Sequence, residues 1–421
     1  MKVAEIDLLD FDRFMRQEHH AMFARLRADD PVYWHPDPYS GRGFWNVVKH
    51  ENLIEVSRDT QLFSSEVGGT TIFSGEELDP YQDSQTNFVT RGNLMVEMDP
   101  PKHTRYRLLV NKGFTPRMIG LVEQALRRRA TMIVDRVIER GSADFVNEIA
   151  SELPLQAIGE ILGVPEEDRH MLLEWSNRLI GVADPEYASG DGMGAIFEMF
   201  GYLNSLAAQR RSEPRDDIVT KLLNSEIEGD SLTELEFNLF MLLLIVAGND
   251  TTGNATAHGM HALLTHADQF ELLKSDPDGR MDDAVEEILR WGSPTLHFRR
   301  TATADTEIRG RAIREGDKVV IWYISANRDE DVWDDPFRFD ITRSPNPHVT
   351  FGGGGTHFCL GANLSRMELR LIFHELVTRI PDMKLAGDPE HLRSNFIGGI
   401  KHMPVSWSPG VRVLPADATL S

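Results

Sequence analysis

Cysteine is almost missing from the sequence: of 421 residues only Cys359 carries a thiol. A disulfide within the chain is therefore impossible, and the multi-cysteine patterns of zinc and iron–sulfur sites are excluded. This usage fits a reducing cytoplasm. Positive charge is also short. Lysine plus arginine number 44 against 66 aspartate plus glutamate, which leaves a formal charge of −22 and disfavours binding to nucleic acid. Long apolar runs are lacking too: Phe240 to Ala247 is the longest, far below the ~20 residues of a bilayer span. Met1 to His20 scatters acidic residues among apolar ones, unlike a secretory leader or a membrane anchor. No internal repeat or low-complexity tract is visible. The expectation is a soluble cytoplasmic protein.

What the sequence does contain is ordinary globular material, 41% hydrophobic and 26% charged. Strand-like runs occur at Pro31 to Trp34 and Gly43 to Val48, and again around Arg299 to Ile308 and Lys318 to Ile324, with Glu315-Gly316 supplying a turn. Between them the spacing is helical, as in Leu121 to Arg140 and Leu232 to His266. The prediction is one mainly α domain over 1–421 with a smaller β region (α+β). Its β-rich portions lie at roughly 30–65, 295–345 and 390–415, and its helical portions at roughly 95–290 and 360–380. Ser64 to Asn93, rich in small and acidic residues, reads as a long surface loop with a short helix.

The most informative segment runs from Phe351 through four glycines, Thr356, His357 and Phe358 to Cys359, Leu360 and Gly361, and then into a helical pattern. It meets neither the P-loop nor the dinucleotide-binding spacing. A thiol delivered at the start of a helix is placed where the dipole and free amides favour a thiolate, either as a ligand or as a nucleophile. Glycines around it would let backbone approach a flat, bulky group. The competing reading is a buried cysteine serving as a small hydrophobe.

Phe351 to Gly361 closely resembles the haem-binding loop of soluble bacterial cytochrome P450 monooxygenases, and further motifs match along nearly the whole chain. The resemblance implies the cytochrome P450 fold, a triangular helical prism with haem b between a long central helix and the cysteine loop. Cys359 would be the thiolate ligand of the haem iron, with Phe351 packed near the sulfur, His357 reaching a propionate and Gly361 clearing room. Thiolate ligation favours cleavage of the O–O bond. Glu287 and Arg290, one helical turn apart, look like the family's ExxR pair, with Arg338 as third partner in a buried structural network. His103 and Arg107 on another helix, with Arg300 from the β region, would hold the propionates, Arg299 being the competitor for that task. Within the central helix, Asp250 would relay protons and Thr251 would hold bound dioxygen, while Ala247 and Gly248 leave space for oxygen and substrate.

The implied reaction inserts one atom of O2 into a C–H bond of a hydrophobic molecule, a terpenoid, sterol or branched lipid. Candidate pocket residues are Phe88, Val89, Leu243, Leu244, Ala247, Gly248, Thr295, Leu296, Phe298, Phe396 and Ile397. No flavin or iron–sulfur region is evident, so the analogy implies a separate ferredoxin with its reductase. That donor would dock on Arg366 and Arg370, with Lys112 and Arg117, against a monomer. A peroxide-driven peroxygenase and a haem-binding sensor are the alternatives. His258, His261 and His266 do not form a zinc site on this reading: at about 100° per residue they diverge around the helix.

Overall fold

Five strands brought together from distant parts of the chain form one sheet. Its strands are β1 (Val32–His35), β2 (Phe44–Val47), β3 (Phe63–Ser64), β4 (His297–Ala302) and β5 (Lys318–Trp322), in the order β1-β2-β5-β4-β3. A computed structural model describes all residues except 39–40, 74–91, 112–113, 115, 181–182, 188–191, 228–229 and 416–421, and omits the side chains of 116–119, 121, 180, 227 and 230. β5, with every residue buried, is the central strand, as its unbroken apolar run requires. It runs parallel to β2 and antiparallel to β4, pairing Val319 with Arg300 and Val320 with Arg299.

Beside the sheet stands a helical mass. The helices that matter to the site are α1 (His50–Arg58), α2 (Lys102–Asn111), α3 (Pro116–Ile138), α4 (Glu152–Leu162), α5 (Arg169–Ile180), α6 (Gly192–Ser212), α7 (Glu234–Thr265), α8 (Pro277–Gly292) and α9 (Ala362–Arg379). α7 starts at a reciprocal capping box: Thr233 Oγ1 accepts from the Glu236 amide at 3.2 Å, and Glu236 accepts from the Thr233 amide at 2.8 Å. Its apolar residues lie on all sides, so it can be stable only when surrounded. α4, α5, α6, α8 and α9 all pack against it. Among the described residues, no helix is long and apolar enough to cross a membrane.

Several expectations need correction. α1 falls within the segment read as β-rich, because Leu53 and Val56, three residues apart, bury one helical face. The strand Ser142–Asp144 interrupts the segment read as helical and pairs with Pro404–Ser406. No strand occurs over 326–345. The described start of the expected surface loop is not superficial either: Ser64, Ser65, Thr70 and Ile72 are buried.

Buried titratable groups give the fold a definite pH dependence. Burial pushes His19 and His258 down to about 3 and His297 and His391 down to about 4. These four stay neutral when folded but protonate below pH 6.5 when unfolded, so stability falls as pH drops through that window. Asp250 and Glu368 act oppositely: burial raises them to about 7 and about 8, so they favour the folded state at low pH and oppose it as pH rises. His20, His103, His261 and His357 are lowered by burial as well, so the groups that lose outnumber the two that gain and stability falls on net between pH 6 and 5. Urea midpoints should be clearly lower at pH 5 than at pH 6.5; equal midpoints would contradict the burial of these histidines.

Candidate active site

Cys359 lies just ahead of α9, and its amide donates to the Phe351 carbonyl at 2.9 Å, closing the glycine-rich loop. Gly352, Gly354 and Gly355 adopt φ of 102°, 89° and 79°, conformations that disfavour a side chain. Part of the expected role of these glycines changes. A Cβ at Gly353 would fall 2.8 Å from Ser57 Oγ and 3.0 Å from Ile54 Cα, and one at Gly355 would fall 3.1 Å from the Ser57 carbonyl. These glycines therefore seat the loop on α1. Among the glycines of this loop, only at Gly361 would a Cβ meet nothing within 4 Å. Cys359 is exposed, while the protein around it raises its thiol above the usual range. The amides of Gly361 and Ala362 and the charges of Arg107 and Arg366 pull the thiol in the other direction.

Beside the sulfur the structure gathers His103, Arg107, Arg300 and His357. The His103 and His357 rings lie 4.3 Å apart, and the charges of Arg107 and Arg300 help burial to keep both imidazoles neutral, near 4 and 2. Strand alternation sends the two arginines to opposite faces of β4. Arg300 is on the His103 side, whereas Arg299 extends toward Thr301 and the Ile72 carbonyl. His103 Nδ1 and Arg300 Nε have no hydrogen-bond partner. Sequence reasoning missed the support behind them. Ser65 Oγ lies 3.2 Å from His357 Nε2, and Asp99 binds the Ser65 amide at 2.9 Å and the Ser64 hydroxyl. No local pattern marks contacts spanning so much sequence.

Behind the loop, Glu287 and Arg290 form a bidentate pair with both bonds at 2.7 Å, and both residues are fully buried. Arg290 also donates to the carbonyls of Asn327 at 2.8 Å and Pro336 at 3.0 Å. The expected third partner is wrong. The Arg338 side chain is 60% exposed and offers Arg290 only a backbone carbonyl, while Arg343 approaches Glu287 to 3.5 Å.

α7 carries Leu243, Ala247 and Thr251 at intervals of four. Ala247 is exposed although it lies in the middle of α7. Thr251 Oγ1 donates to the Ala247 carbonyl at 2.7 Å. Asp250 accepts from Asn249 at 3.2 Å through Oδ1, while Oδ2 has no partner, and burial raises the carboxyl to about 7. The structure thus offers a lone thiol at a helix start with the Arg107 and Arg366 charges acting on it, and on α7 an accessible small residue.

Comparison with known proteins decides what this arrangement is. The cytochrome P450 family profile matches residues 280–380. The steroid C26-monooxygenase of Mycolicibacterium smegmatis is 41% identical over 96% of this chain and 94% of its own. The chain belongs to the cytochrome P450 family. The methyl-branched lipid omega-hydroxylase of Mycobacterium bovis is 40% identical over 96% of this chain and 95% of its own. The structure of the Mycobacterium marinum cytochrome P450 CYP268A2 in complex with pseudoionone superposes with a TM-score of 0.88 at 40% identity, covering 96% of this chain and 98% of that one.

A cytochrome P450 carries haem iron, and the residues here fit that group. Two unpartnered buried donors suit its carboxylates, a Cβ at Gly361 would meet nothing within 4 Å, and Cys359, the one cysteine of the sequence, would supply the thiolate. The expected substrate pocket of this P450 is only partly brought together. Thr295, Phe298 and Phe396 are partly open, and the two phenylalanine rings lie 5.7 Å apart. Leu244 and Leu296 are instead packed in hydrophobic cores. Gly248 abuts α4, since a Cβ there would fall 2.4 Å from Ile158 Cδ1; it makes helix contact rather than room for oxygen. Ile397 lines a different cavity, with Asp250. Phe88, Val89 and Lys112 fall outside the described residues, as does the side chain of Arg117.

The expected docking patch also looks different in three dimensions. Arg366 is clamped by Glu286 at 2.6 and 2.8 Å and lies over the Phe351 ring at 4.6 Å. Arg370 pairs with Asp282 at 3.2 Å, and His374 with Asp278 at 3.2 Å. Three acids of α8 thus meet three bases of α9 at matching four-residue intervals, so Arg366 and Arg370 are paired within the chain.

Proposed function

We propose that this P450 monooxygenase hydroxylates the end of a branched aliphatic chain on a terpenoid, sterol or lipid, using haem b and electrons from a separate ferredoxin and its reductase. It acts on this reading as a cytoplasmic monomer. The observation that carries the substrate class is the pair of relatives named for oxidation at steroid C26 and at the omega end of methyl-branched lipids. Both names place the oxidised carbon at a chain terminus, and Leu243 and the exposed Ala247 give α7 apolar surface one turn from Thr251.

The balanced reaction consumes the substrate, O2, two electrons and two protons, and yields an alcohol and water. Haem, when bound, supplies the activation of dioxygen. The chain supplies the rest. Cys359 holds the iron; His103, Arg107, Arg300 and His357 anchor the carboxylates; Thr251 offers a hydroxyl fixed by the Ala247 carbonyl; Asp250 passes protons inward. A carboxyl raised to about 7 is suited to both accepting and releasing a proton near neutral pH.

The test is optical titration of the haem-loaded protein with isopalmitic acid, a cholestane-type steroid and pseudoionone. Displacement of iron-bound water by the first or second, followed by a terminal alcohol on turnover, is the expected result. Absence of a shift with all three would remove the proposed substrate class.

A further inference from the structure

A cavity of about 70 Å³ separates Asp250 from the strand region near Lys401. Its wall is unusually polar for a gap between packed helices: Asn147, Ser151, Asn177, Tyr187, Asn254 and Lys401 contribute alongside Asp250. The volume is enough for a couple of water molecules with several partners each. Lys401 is fixed by Glu186 at 2.8 Å and Asp184 at 3.2 Å. His402, next in sequence, binds Asp144 at 2.7 Å and Glu186 at 2.9 Å.

One residue at this site has no explanation in packing. Ser176 of α5 is fully buried, and its hydroxyl has no hydrogen-bond partner. Its helix neighbours Leu173 and Asn177 line the cavity, and its hydroxyl stands close enough to the Asp250 carboxyl to favour the ionised form. Asp250 Oδ2 is likewise buried and unpartnered. Two orphaned oxygens at one place are costly unless they serve each other, directly or through water.

We propose that Ser176 is a positioning residue for Asp250, its hydroxyl orienting the carboxyl toward the polar cavity, which is the route by which protons reach Asp250 from the Lys401 side. This rests on the reading of Asp250 as the proton relay. The step moves one proton from cavity water to Asp250 and one from Asp250 inward, leaving the carboxyl unchanged after each cycle. Tyr187 and Lys401 are the titratable groups that share the cavity wall, and burial raises Tyr187 to about 12, so neither changes charge near neutral pH.

The experiment is infrared titration of the protonated carboxyl band in the haem-loaded ferric protein, with Asp250→Asn used to assign the band. Ser176→Ala is expected to raise the titration midpoint by about half a pH unit or more, because a donor to the carboxylate is lost. Ser176→Thr, which keeps the hydroxyl, should restore it. With isopalmitic acid, Ser176→Ala should also lower the alcohol formed per O2 consumed, while its optical binding titration stays as in the parent protein. An unmoved midpoint in Ser176→Ala overturns the proposal while leaving the Asp250 reading intact. Unchanged coupling in Asp250→Asn overturns both.

Discussion

Cys359→Ala is expected to remove the red-shifted band of the reduced, carbon-monoxide-bound protein and to reduce hydroxylation to background. The loss should exceed the about 10–100-fold that follows removal of a supporting hydrogen-bond partner at a metal site. The sulfur is the one cysteine ligand available, and the Phe351 carbonyl fixes the backbone beneath it at 2.9 Å. Gly353→Ala provides the contrast. Its Cβ would press on Ser57 and Ile54 of α1, so the expected cost is about 1–3 kcal/mol of stability with the thiolate band retained. Urea unfolding and the carbon monoxide difference spectrum of the two variants check this directly. A Cys359→Ala protein with the parent spectrum would refute thiolate ligation, and a Gly353→Ala protein of parent stability would refute the seating of the loop on α1.

Local pattern accounts for what was legible in the sequence. α7 announced itself through its apolar run, and the glycine-flanked cysteine through a composition that few other sites need. The helical spacing predicted for Leu232 to His266 agrees with α7 at Glu234–Thr265 to within two residues at each end. Contacts across large sequence separations were not legible. Ser65 reaches His357 from 292 positions away, and Glu286 clamps Arg366 across 80. Arg366 and Arg370 are expected at a docking patch by family analogy, and the sequence alone does not show that Glu286 and Asp282 face them. Gly248 looked like space for oxygen for the same reason: only packing shows that Ile158 already occupies that side. The choice between Arg299 and Arg300 required the register of β4 against β5, since a shift of one residue exchanges their faces.

Arg290→Met should cost about 3–5 kcal/mol, because it leaves the fully buried Glu287 carboxylate without its bidentate partner and strips donors from the carbonyls of Asn327 and Pro336. Arg338→Ala should change stability by no more than about 0.5 kcal/mol, since its side chain is 60% exposed and its nearest carboxylate, on Asp340, lies 4.0 Å away. Arg343→Ala should fall between them, at about 1–2 kcal/mol, because its guanidinium also donates to the carbonyls of Asp334 at 3.1 Å and Arg338 at 3.2 Å. The Glu287 carboxylate has further support from the Asp340 amide and the Asn346 side chain, both at 3.0 Å, so the network joins α8 to the chain segment that leads into the cysteine loop. Destabilisation there should therefore loosen haem retention before it unfolds α7. Measured by urea unfolding and by haem transfer to an apo-globin acceptor, the order Arg290, then Arg343, then Arg338 is the expected result. Equal effects of Arg338→Ala and Arg343→Ala would restore the motif-based assignment and contradict the observed geometry.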